Sequence, residues 1–318
     1  MQPGSLGSPL ASRLGGPGLR VCLVADDLTG ACDSALPFVA GGRVRVGLWP
    51  ELPSGDLACA AVSTESRAEA GAVARARSRE AVRAMPGDLL FRKLDSLLRG
   101  NPVADLAGVL DAVPGRCVVA PALPAEGRTT TGGTQRWRSG DVDLRVLLRP
   151  LGGRVDIRDA ATDADLDAIA REVLDSGDRV VAGTAGLAAA LARELGLGPP
   201  PPALCRCVLP LAVVGSPAAA AQAAHARERG WRVQVLGPGE LPDLDGHDGL
   251  VLTGGETAAR TLTAAGARAL ALVGEALPRA PLARVCGGRL DGLPVVLKAG
   301  AFGGEDAVSR ALEALRGG

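Results

Sequence analysis

Aromatic side chains are scarce in this chain of 318 residues: they make up 2% of the sequence, and tyrosine is absent. Proteins that bind single-stranded nucleic acid stack its bases on aromatic rings, and this sequence offers few such rings. Lysine plus arginine and aspartate plus glutamate number 35 each, so the net charge is zero and no basic stripe faces a phosphate backbone. We therefore expect no nucleic-acid partner.

Histidine is also scarce, with two residues, and the seven cysteines are odd in number and scattered. Neither a disulfide framework nor a zinc site of cysteine and histidine is expected from this pattern. No apolar run approaches the roughly 20 residues of a membrane-spanning helix, so we expect no membrane partner. Residues 1–18 are rich in glycine, serine and proline and lack the apolar core of a signal peptide. We expect a disordered extension there and a cytoplasmic protein.

Hydrophobic residues make up 47% of the sequence, and the core must be built from alanine, valine and leucine. Short apolar runs, such as 44–48 and 117–120, alternate with segments of helical spacing. Strands that are apolar throughout are typical of parallel sheets, because helices cover both faces. The pattern predicts an α/β fold with two α/β domains, mainly parallel sheets and a ligand cleft between the domains.

The clearest boundary in the sequence is a run of four prolines at 199–202. Consecutive prolines cannot continue a helix, and they form an extended spacer. We expect a linker at 198–207 that joins an N-terminal domain at 19–197 to a C-terminal domain at 208–318. Residues 131–153 are rich in glycine, arginine and aspartate, and both a loop and a hairpin fit them.

The first predicted strand ends on two adjacent carboxylates, Asp26 and Asp27. We expect Thr29 to cap a following helix, with helical spacing over 33–40. Ligands bind at the carboxyl ends of strands in open α/β sheets. A ligand site and a solvated turn explain this stretch equally well when it is taken alone.

Other charged and hydroxyl side chains also follow strands of the first domain. Arginine suits bidentate binding of a carboxylate, and a carboxylate can accept or orient a hydroxyl proton. An ion pair or a solvated loop explains any one of these residues equally well, but their shared placement favours a site for a small anion. The residues are Arg67, Lys93, Asp95, Ser96, Arg99 and Arg128.

Three glycine loops of the second domain each lie between a predicted strand and a predicted helix. Glycine lets the backbone approach a ligand closely, and free N–H groups at a helix N-terminus suit phosphate. None is a Walker A motif or a complete dinucleotide fingerprint, and glycine at such corners is also common for turn geometry alone. Together they favour a nucleotide site. The loops contain Gly215-Ser216, Thr253-Gly254-Gly255-Glu256-Thr257 and Lys298-Ala299-Gly300.

Seven blocks of the sequence, read in order, resemble the four-carbon acid sugar kinase family. They extend from about residue 20 to the end of the chain, and the ordered set is far more specific than any single block. The blocks are ADDLTGACD (25–33), KLDSLLRGN (93–101), APALP (120–124) with Gly127-Arg128, GTAGL (183–187), GS (215–216), TGGET (253–257) and KAGAFG (298–303).

The resemblance implies an ATP-dependent kinase that uses Mg²⁺ and phosphorylates a hydroxyl of a C4 sugar acid such as threonate, erythronate or a 3-oxo-tetronate. It implies that the N-terminal domain binds the acid and the C-terminal domain binds ATP. Asp27 or Asp95 would act on the hydroxyl proton, and Glu256 or an aspartate would be a ligand of Mg²⁺, directly or through water. The substrate set is Asp26, Asp27, Arg67, Lys93, Asp95, Ser96, Arg99 and Arg128. The nucleotide set is Ser216, Gly254, Gly255, Glu256, Thr257, Lys298 and Gly300.

The chain departs from the family pattern in length and at two positions. It is shorter than usual members, mostly after Arg128, and it has Ala299 and Leu97 where serine and threonine are commoner. Two alternatives stay open: a member that binds sugar acid or nucleotide without turnover, and an NAD(P)-dependent enzyme of similar build. The missing Gly-x-Gly-x-x-Gly after the first strand counts against the latter. A homo-oligomer is left open.

Overall fold

The short apolar runs of the sequence form strands in the computed structural model, which describes residues 20–300 and 302–317. The runs predicted at 44–48 and 117–120 form strands with the same bounds. The predicted α/β fold is confirmed. In chain order the strands are β1 (Val21–Ala25), β2 (Val44–Leu48), β3 (Cys59–Ser63), β4 (Leu89–Lys93), β5 (Cys117–Ala120), β6 (Thr129–Thr131), β7 (Thr134–Trp137), β8 (Gly140–Asp143), β9 (Val155–Ile157), β10 (Val180–Gly183), β11 (Pro210–Val214), β12 (Val233–Val235), β13 (Gly249–Thr253), β14 (Ala269–Leu277), β15 (Ala280–Cys286) and β16 (Pro294–Lys298).

Helices follow most of the parallel strands. Within 20–300 and 302–317, none of them is long and apolar enough to cross a membrane. The α-helices are α1 (Leu28–Ala35), α2 (Gly71–Ala84), α3 (Pro102–Ala112), α4 (Leu144–Leu147), α5 (Asp163–Ser176), α6 (Ala185–Glu194), α7 (Ala220–Glu228), α8 (Gly255–Ala264) and α9 (Ala307–Arg316). Short 3₁₀ helices lie at Leu36–Gly41, Pro124–Glu126, Arg149–Arg154, Pro217–Ala219 and Gly288–Leu290.

The contacts within the chain divide it into two units. The first unit contains the described residues up to Val24 together with Ser66–Gly198. The second unit contains Ala25–Glu65 and the described part of Pro199–Gly318. The sequence-based domains at 19–197 and 208–318 are functional assignments, and they stay predictions. The extension predicted at 1–18 lies outside the described residues.

Every strand pairing in the main sheet of the first unit is parallel. The strand order is β1, β4, β10, β5, β9. Strands of this kind are buried on both faces, and every residue of β4 is buried, including two cations. One of these cations, Arg92, has its Nη2 atom 2.7 Å from Oδ2 of Asp105 on α3, which keeps its charge paired inside the core.

The segment at 131–153, predicted as a loop or a hairpin, begins in a small antiparallel sheet of β6, β7 and β8 and continues into α4 and a 3₁₀ helix. Gly132 and Gly133 form the turn between β6 and β7, with φ angles of 59° and 72°. Positive φ at both central residues is the requirement of a type I′ hairpin turn, which explains the glycine pair. The hairpin alternative is therefore correct as far as Asp143, and the helical turns that follow it were not predicted.

The sheet of the second unit mixes parallel and antiparallel pairings. Its strand order is β12, β11, β13, β16, β15, β14, β2, β3. The pairings from β12 to β16 and the pairing of β2 with β3 are parallel. Strand β15 is antiparallel to β14 and β16, and β14 is antiparallel to β2. The sheets are mainly parallel, as predicted, but the hairpin of β14 and β15 was not foreseen.

The helix after β1 begins earlier than the sequence suggested. Its N-cap is Asp27, whose carboxylate accepts a hydrogen bond from the Gly30 N–H at 3.1 Å. The predicted cap, Thr29, is wrong: it lies inside the helix, and its hydroxyl donates to the Asp27 carboxylate at 2.8 Å. Beyond Ala35 the chain becomes a 3₁₀ helix, in which Pro37 lacks the N–H group that an α-helix interior needs.

Most of the proline-rich segment is bonded to the second unit. The backbone of Glu275 on β14 donates to the Pro201 carbonyl at 2.9 Å and accepts from the Ala203 N–H at 2.8 Å. Further along, the Cys207 N–H donates to the Leu315 carbonyl of α9 at 2.8 Å. Residues 201–207 therefore run as an extended segment along β14 and α9.

Candidate functional site

Three glycine loops of the second unit leave one edge of its sheet. Val214, the last residue of β11, is in register with Thr253 of β13, and Thr253 is in register with Lys298 of β16. Each of these strands ends at its registered residue, so the three loops begin side by side. This is the carboxyl edge of parallel strands, where α/β sheets bind ligands.

The loops approach one another so closely that only glycine fits at their contacts. A Cβ atom on Gly215 would lie 1.8 Å from Thr257 Oγ1, and one on Gly300 would lie 2.1 Å from Ser216 Oγ. Carbon atoms do not approach hydroxyl oxygens at such distances, so both positions require a residue without a side chain. Ser216 and Thr257, which the sequence assigned to the nucleotide, therefore meet the other loops directly.

Helix α8 begins at this edge, and its N-cap residue is a glycine, which has no side chain to cap the helix. Its N-cap, Gly254, has a φ angle of +88°, which few other residues adopt. The first N–H groups of a helix have no partner within the helix and attract anions. Glu256 does not contribute its side chain here: that side chain is 88% exposed and pairs with Arg260 at 3.1 Å.

The Asp26-Asp27 pair belongs to the second unit, beside this helix terminus. A Cβ atom on Gly255 would lie 2.4 Å from Asp27 Oδ2, so the glycine lets α8 begin against the carboxylate. Both aspartates are buried, at 3% and 7% exposure. The structure therefore groups Asp27, which the sequence analysis assigned to the acid, with the residues that it assigned to the nucleotide.

The whole sequence contains two lysines, Lys93 and Lys298, although lysine plus arginine total 35. Both are buried, at 6% and 3% exposure, and each is the last residue of a strand in a different unit. Each ammonium donates to the carbonyl of the next residue, Lys93 to Leu94 at 2.7 Å and Lys298 to Ala299 at 3.0 Å. All other basic residues of this kind are arginines, so the compact ammonium group of lysine occurs in the sequence at these two strand ends.

Burial lowers the pKa of Lys298 to about 8. No carboxylate pairs with it among the residues that the structure describes, and the neutral Ala299 carbonyl offsets only part of the lost hydration. At neutral pH the ammonium is therefore charged without a carboxylate partner in the described part of the chain. An anion bound at the three loops would supply one.

In the first unit, Asp95 is the centre of a cationic cluster. Its carboxylate accepts from Arg99 Nη2 at 2.6 Å and Nε at 2.9 Å, and Arg67 Nη2 lies 3.5 Å away. Burial alone would raise the pKa of Asp95, but the hydrogen bonds from Arg99 and the charges of Arg67, Lys93 and Arg99 hold it well below its usual range. A carboxylate so stabilised is a weak proton acceptor, which suits it to holding the cations in place.

Ser96 and Arg128 join the same cluster through the small sheet. Arg128 Nη1 donates to the Ser96 hydroxyl. Gln135 of β7 is completely buried, and its amide donates to the carbonyls of Pro121 at 3.1 Å and Ser96 at 3.4 Å. Sequence reasoning missed Gln135, although the Gly132-Gly133 pair marks the hairpin that carries it.

The predicted residues thus fall into two groups. Asp95 and its cations, with Ser96 and Arg128, lie together in the first unit, whereas Asp26 and Asp27 lie with the glycine loops in the second. Within the described ranges, no group of three or more histidine, cysteine, aspartate or glutamate residues could hold a metal by itself. Mg²⁺ is usually held by one or two carboxylates plus substrate phosphates and water, and Asp26 with Asp27 meets that requirement.

Two known domain families match parts of the chain. A sugar-binding N-terminal domain matches residues 21–152, and a nucleotide-binding C-terminal domain matches residues 239–308. The first match contains the cationic cluster, and the second contains two of the three glycine loops.

Two curated relatives are similar over nearly their whole length. The D-threonate kinase of Bordetella bronchiseptica is 31% identical over 407 aligned positions, which cover 95% of this chain and 98% of the relative. The D-threonate kinase of Cupriavidus necator is also 31% identical, with coverage of 92% and 97%. Because these alignments are longer than the 318 residues here, the relatives carry residues that this chain lacks.

One solved structure shares the fold at low identity. The putative tRNA synthase from Salmonella typhimurium LT2 superimposes with a TM-score of 0.72 and covers 92% of this chain and 99% of its own. At 17% identity the likeness concerns the architecture.

The pKa of Lys298 predicts how nucleotide binding depends on pH. Because the ammonium loses its proton as pH rises through about 8, the affinity for an anionic nucleotide should fall about tenfold between pH 7.5 and pH 9. Calorimetric titration at several pH values measures this. Arginine stays charged over the range, so Lys298→Arg should bind with a flat profile. Equal pH profiles for Lys298→Arg and the wild type would contradict the assignment.

Proposed function

The chain belongs to the four-carbon acid sugar kinase family, and from that premise we propose that it transfers the terminal phosphoryl group of ATP to a hydroxyl of a four-carbon sugar acid. Both full-length relatives are named D-threonate kinases, so D-threonate is the first acid to test. The observation that carries the proposal is the pair of buried lysines, one in each unit. Each provides a cation for one of two anionic substrates.

The acid is assigned to the cluster in the first unit. That set contains four cationic side chains and one carboxylate, and the excess of positive charge suits an anionic substrate. Arg67, Lys93 and Arg99 would hold the acid's carboxylate, since arginine pairs with carboxylates through two parallel hydrogen bonds. Asp95 fixes the two arginines, and the Arg128 contact fixes the Ser96 hydroxyl.

The nucleotide is assigned to the loops of the second unit. The N–H groups that begin α8 would bind phosphate oxygens, and Lys298 would neutralise their charge. Gly215, Gly255 and Gly300 keep this region open, because side chains there would fill it or push the loops apart. Asp26 is the carboxylate that we assign to Mg²⁺, which would neutralise part of the phosphate charge when bound.

Asp27 is the better candidate to act on the proton of the attacking hydroxyl. Asp95 pairs with cations that depress its pKa, so it is a poor base. The Asp27 carboxylate accepts from the Thr29 hydroxyl and the Gly30 N–H, which are neutral donors. Asp27 lies against α8, where we place the phosphates. The hydroxyl oxygen forms a bond to the terminal phosphorus, the bond from that phosphorus to the bridging oxygen breaks, ADP leaves, and Asp27 accepts the proton. Phosphoryl transfer depends mainly on such positioning and charge neutralisation.

The length of the chain favours one second candidate. Because the relatives carry residues that this chain lacks, a member that binds acid and nucleotide without turnover is the competing hypothesis. The NAD(P)-dependent alternative has no such support, since the full-length relatives are named kinases.

A panel of acids tests the proposal directly. The full chain is incubated with ATP, Mg²⁺ and the threonates and erythronates of both configurations, and ADP release is measured beside the mass of the acid. We expect ADP release that depends on one of these acids, with one phosphate added to that acid. Binding of both ligands without product would favour the competing hypothesis. If the chain neither binds ATP nor turns over any of the acids, both the kinase proposal and the competing hypothesis are refuted.

The variant Asp27→Asn tests the proposed proton acceptor. Asparagine is also a good N-cap, so α1 should form normally, whereas the proton acceptor is lost. We expect kcat to fall by about 10² to 10⁴ with little change in the ATP dissociation constant. Asp56→Asn, at an exposed position in the same unit, is the control and should retain wild-type rates. Full turnover in Asp27→Asn would remove Asp27 from any role in proton transfer.

A further inference from the structure

Arg279 occupies a turn that neither the motifs nor the family matches mark. It follows Pro278 in the short connection between β14 and β15 in the second unit. Its φ angle is +61°, in the left-handed region that residues other than glycine, asparagine and aspartate seldom adopt. Its N–H donates to Glu275 Oε1 at 2.7 Å, which holds the turn in this conformation. Backbone strain of this kind is often found where a side chain must be aimed.

The guanidinium of Arg279 binds helix α1. It pairs with both oxygens of Asp33 through Nε, at 3.3 Å, and through Nη2. The pair is mostly buried, with side-chain exposures of 22% for Arg279 and 13% for Asp33. Two parallel hydrogen bonds fix orientation as well as distance. Asp33 is in the last turn of the helix that Asp27 caps, so Arg279 restrains the helix that presents Asp27.

The same guanidinium lies over the ring of Phe302, with 4.3 Å between its central carbon and the ring centre. Phe302 follows Lys298 and Gly300 in the third glycine loop. The Gln222 amide of α7 also donates to the carbonyls of Phe302 and Gly303, at 3.3 Å each. A cation over an aromatic ring is attracted to its face, so two side chains, Arg279 and Gln222, hold the loop.

We propose that Arg279 is a positioning residue that joins helix α1 to the third glycine loop. One side chain contacts both segments, and the two segments carry Asp27 on one side and Lys298 with Gly300 on the other. Arg279 therefore sets the distance between the carboxylate and the phosphate-binding cation. This inference deepens the proposed function and rests on it for its kinetic readout.

Two variants of Arg279 distinguish the effect of its positive charge from the effect of its paired hydrogen bonds. Arg279→Gly removes the side chain and suits the positive φ, so the turn itself should fold at least as well. Arg279→Lys keeps a charge but loses the paired hydrogen bonds. We expect KM for ATP to rise about 10- to 100-fold in Arg279→Gly and less in Arg279→Lys. The KM for the acid should change less than about twofold, because the acid's cations lie in the first unit.

The control is a second arginine stacked on an aromatic ring in the same unit. Arg316 lies over Trp231 at 4.5 Å, away from the glycine loops, and Arg316→Lys should leave both KM values unchanged. Hydrogen exchange of the ligand-free protein supplies a readout that needs no turnover. In Arg279→Gly, peptides that cover 28–35 and 302–306 should both exchange faster than in the wild type, and those of Arg316→Lys should not.

Unchanged exchange in both segments of Arg279→Gly would overturn the inference, whether or not the wild type is a kinase. A wild type that turns over, with Arg279 variants whose KM values for ATP and acid rise equally, would also overturn it and leave the proposed function standing. A wild type that neither binds ATP nor releases ADP would refute the proposed function, and the exchange data would still decide whether Arg279 joins the two segments.

Discussion

The close approach of backbone to side chain at three glycines is the constraint on which the candidate nucleotide site depends. Cβ atoms at Gly215, Gly255 and Gly300 would lie 1.8 Å, 2.4 Å and 2.1 Å from oxygens of neighbouring residues. These contacts bring two of the loops and the first turn of α8 against one another and against Asp27. A methyl group at any of the three positions would force the segments apart, because backbone and short side chains have little freedom to move aside.

The same edge carries two features that attract an anion. The start of α8, whose N-cap is a glycine, and the buried ammonium of Lys298 both favour negative charge, and burial makes the ammonium costly to keep charged alone. In the first unit the cations are already paired, because Asp95 binds Arg67 and Arg99 in the absence of any ligand. The second unit is therefore suited to a highly charged ligand, whereas the first unit holds its cations in a fixed arrangement.

Sequence reasoning predicted the elements that local pattern determines. Parallel strands such as β1 and β5 were found because burial on both faces makes them apolar throughout. Strand β15 was missed, since Pro281 and Arg284 interrupt its apolar pattern. The N-cap was misplaced from Asp27 to Thr29, because both residue types cap helices and only the hydrogen bonds distinguish them.

The residue types of the site were predictable from their positions at strand ends, but their grouping was not. Asp27 meets Gly255 across more than 200 positions of sequence, and no local pattern reports such a contact. Arg279 and Gln135 were missed for the same reason. Each side chain binds residues that are distant in the sequence, Arg279 on α1 and Gln135 in the two loops that follow β4 and β5. The scarcity of lysine was visible in the sequence, but it gains meaning from the burial of both ammonium groups at strand ends.

Hydrogen exchange with one ligand at a time tests the central claim most directly, namely that the second unit binds the nucleotide and the first binds the acid. A non-hydrolysable ATP analogue with Mg²⁺ should protect peptides that cover 26–30, 215–217, 253–258 and 298–300. D-threonate alone should protect peptides around Arg67, 93–99 and Arg128. Protection of 93–99 by the nucleotide and of the glycine loops by the acid would contradict the account, as would a nucleotide that binds and leaves all the loops unprotected.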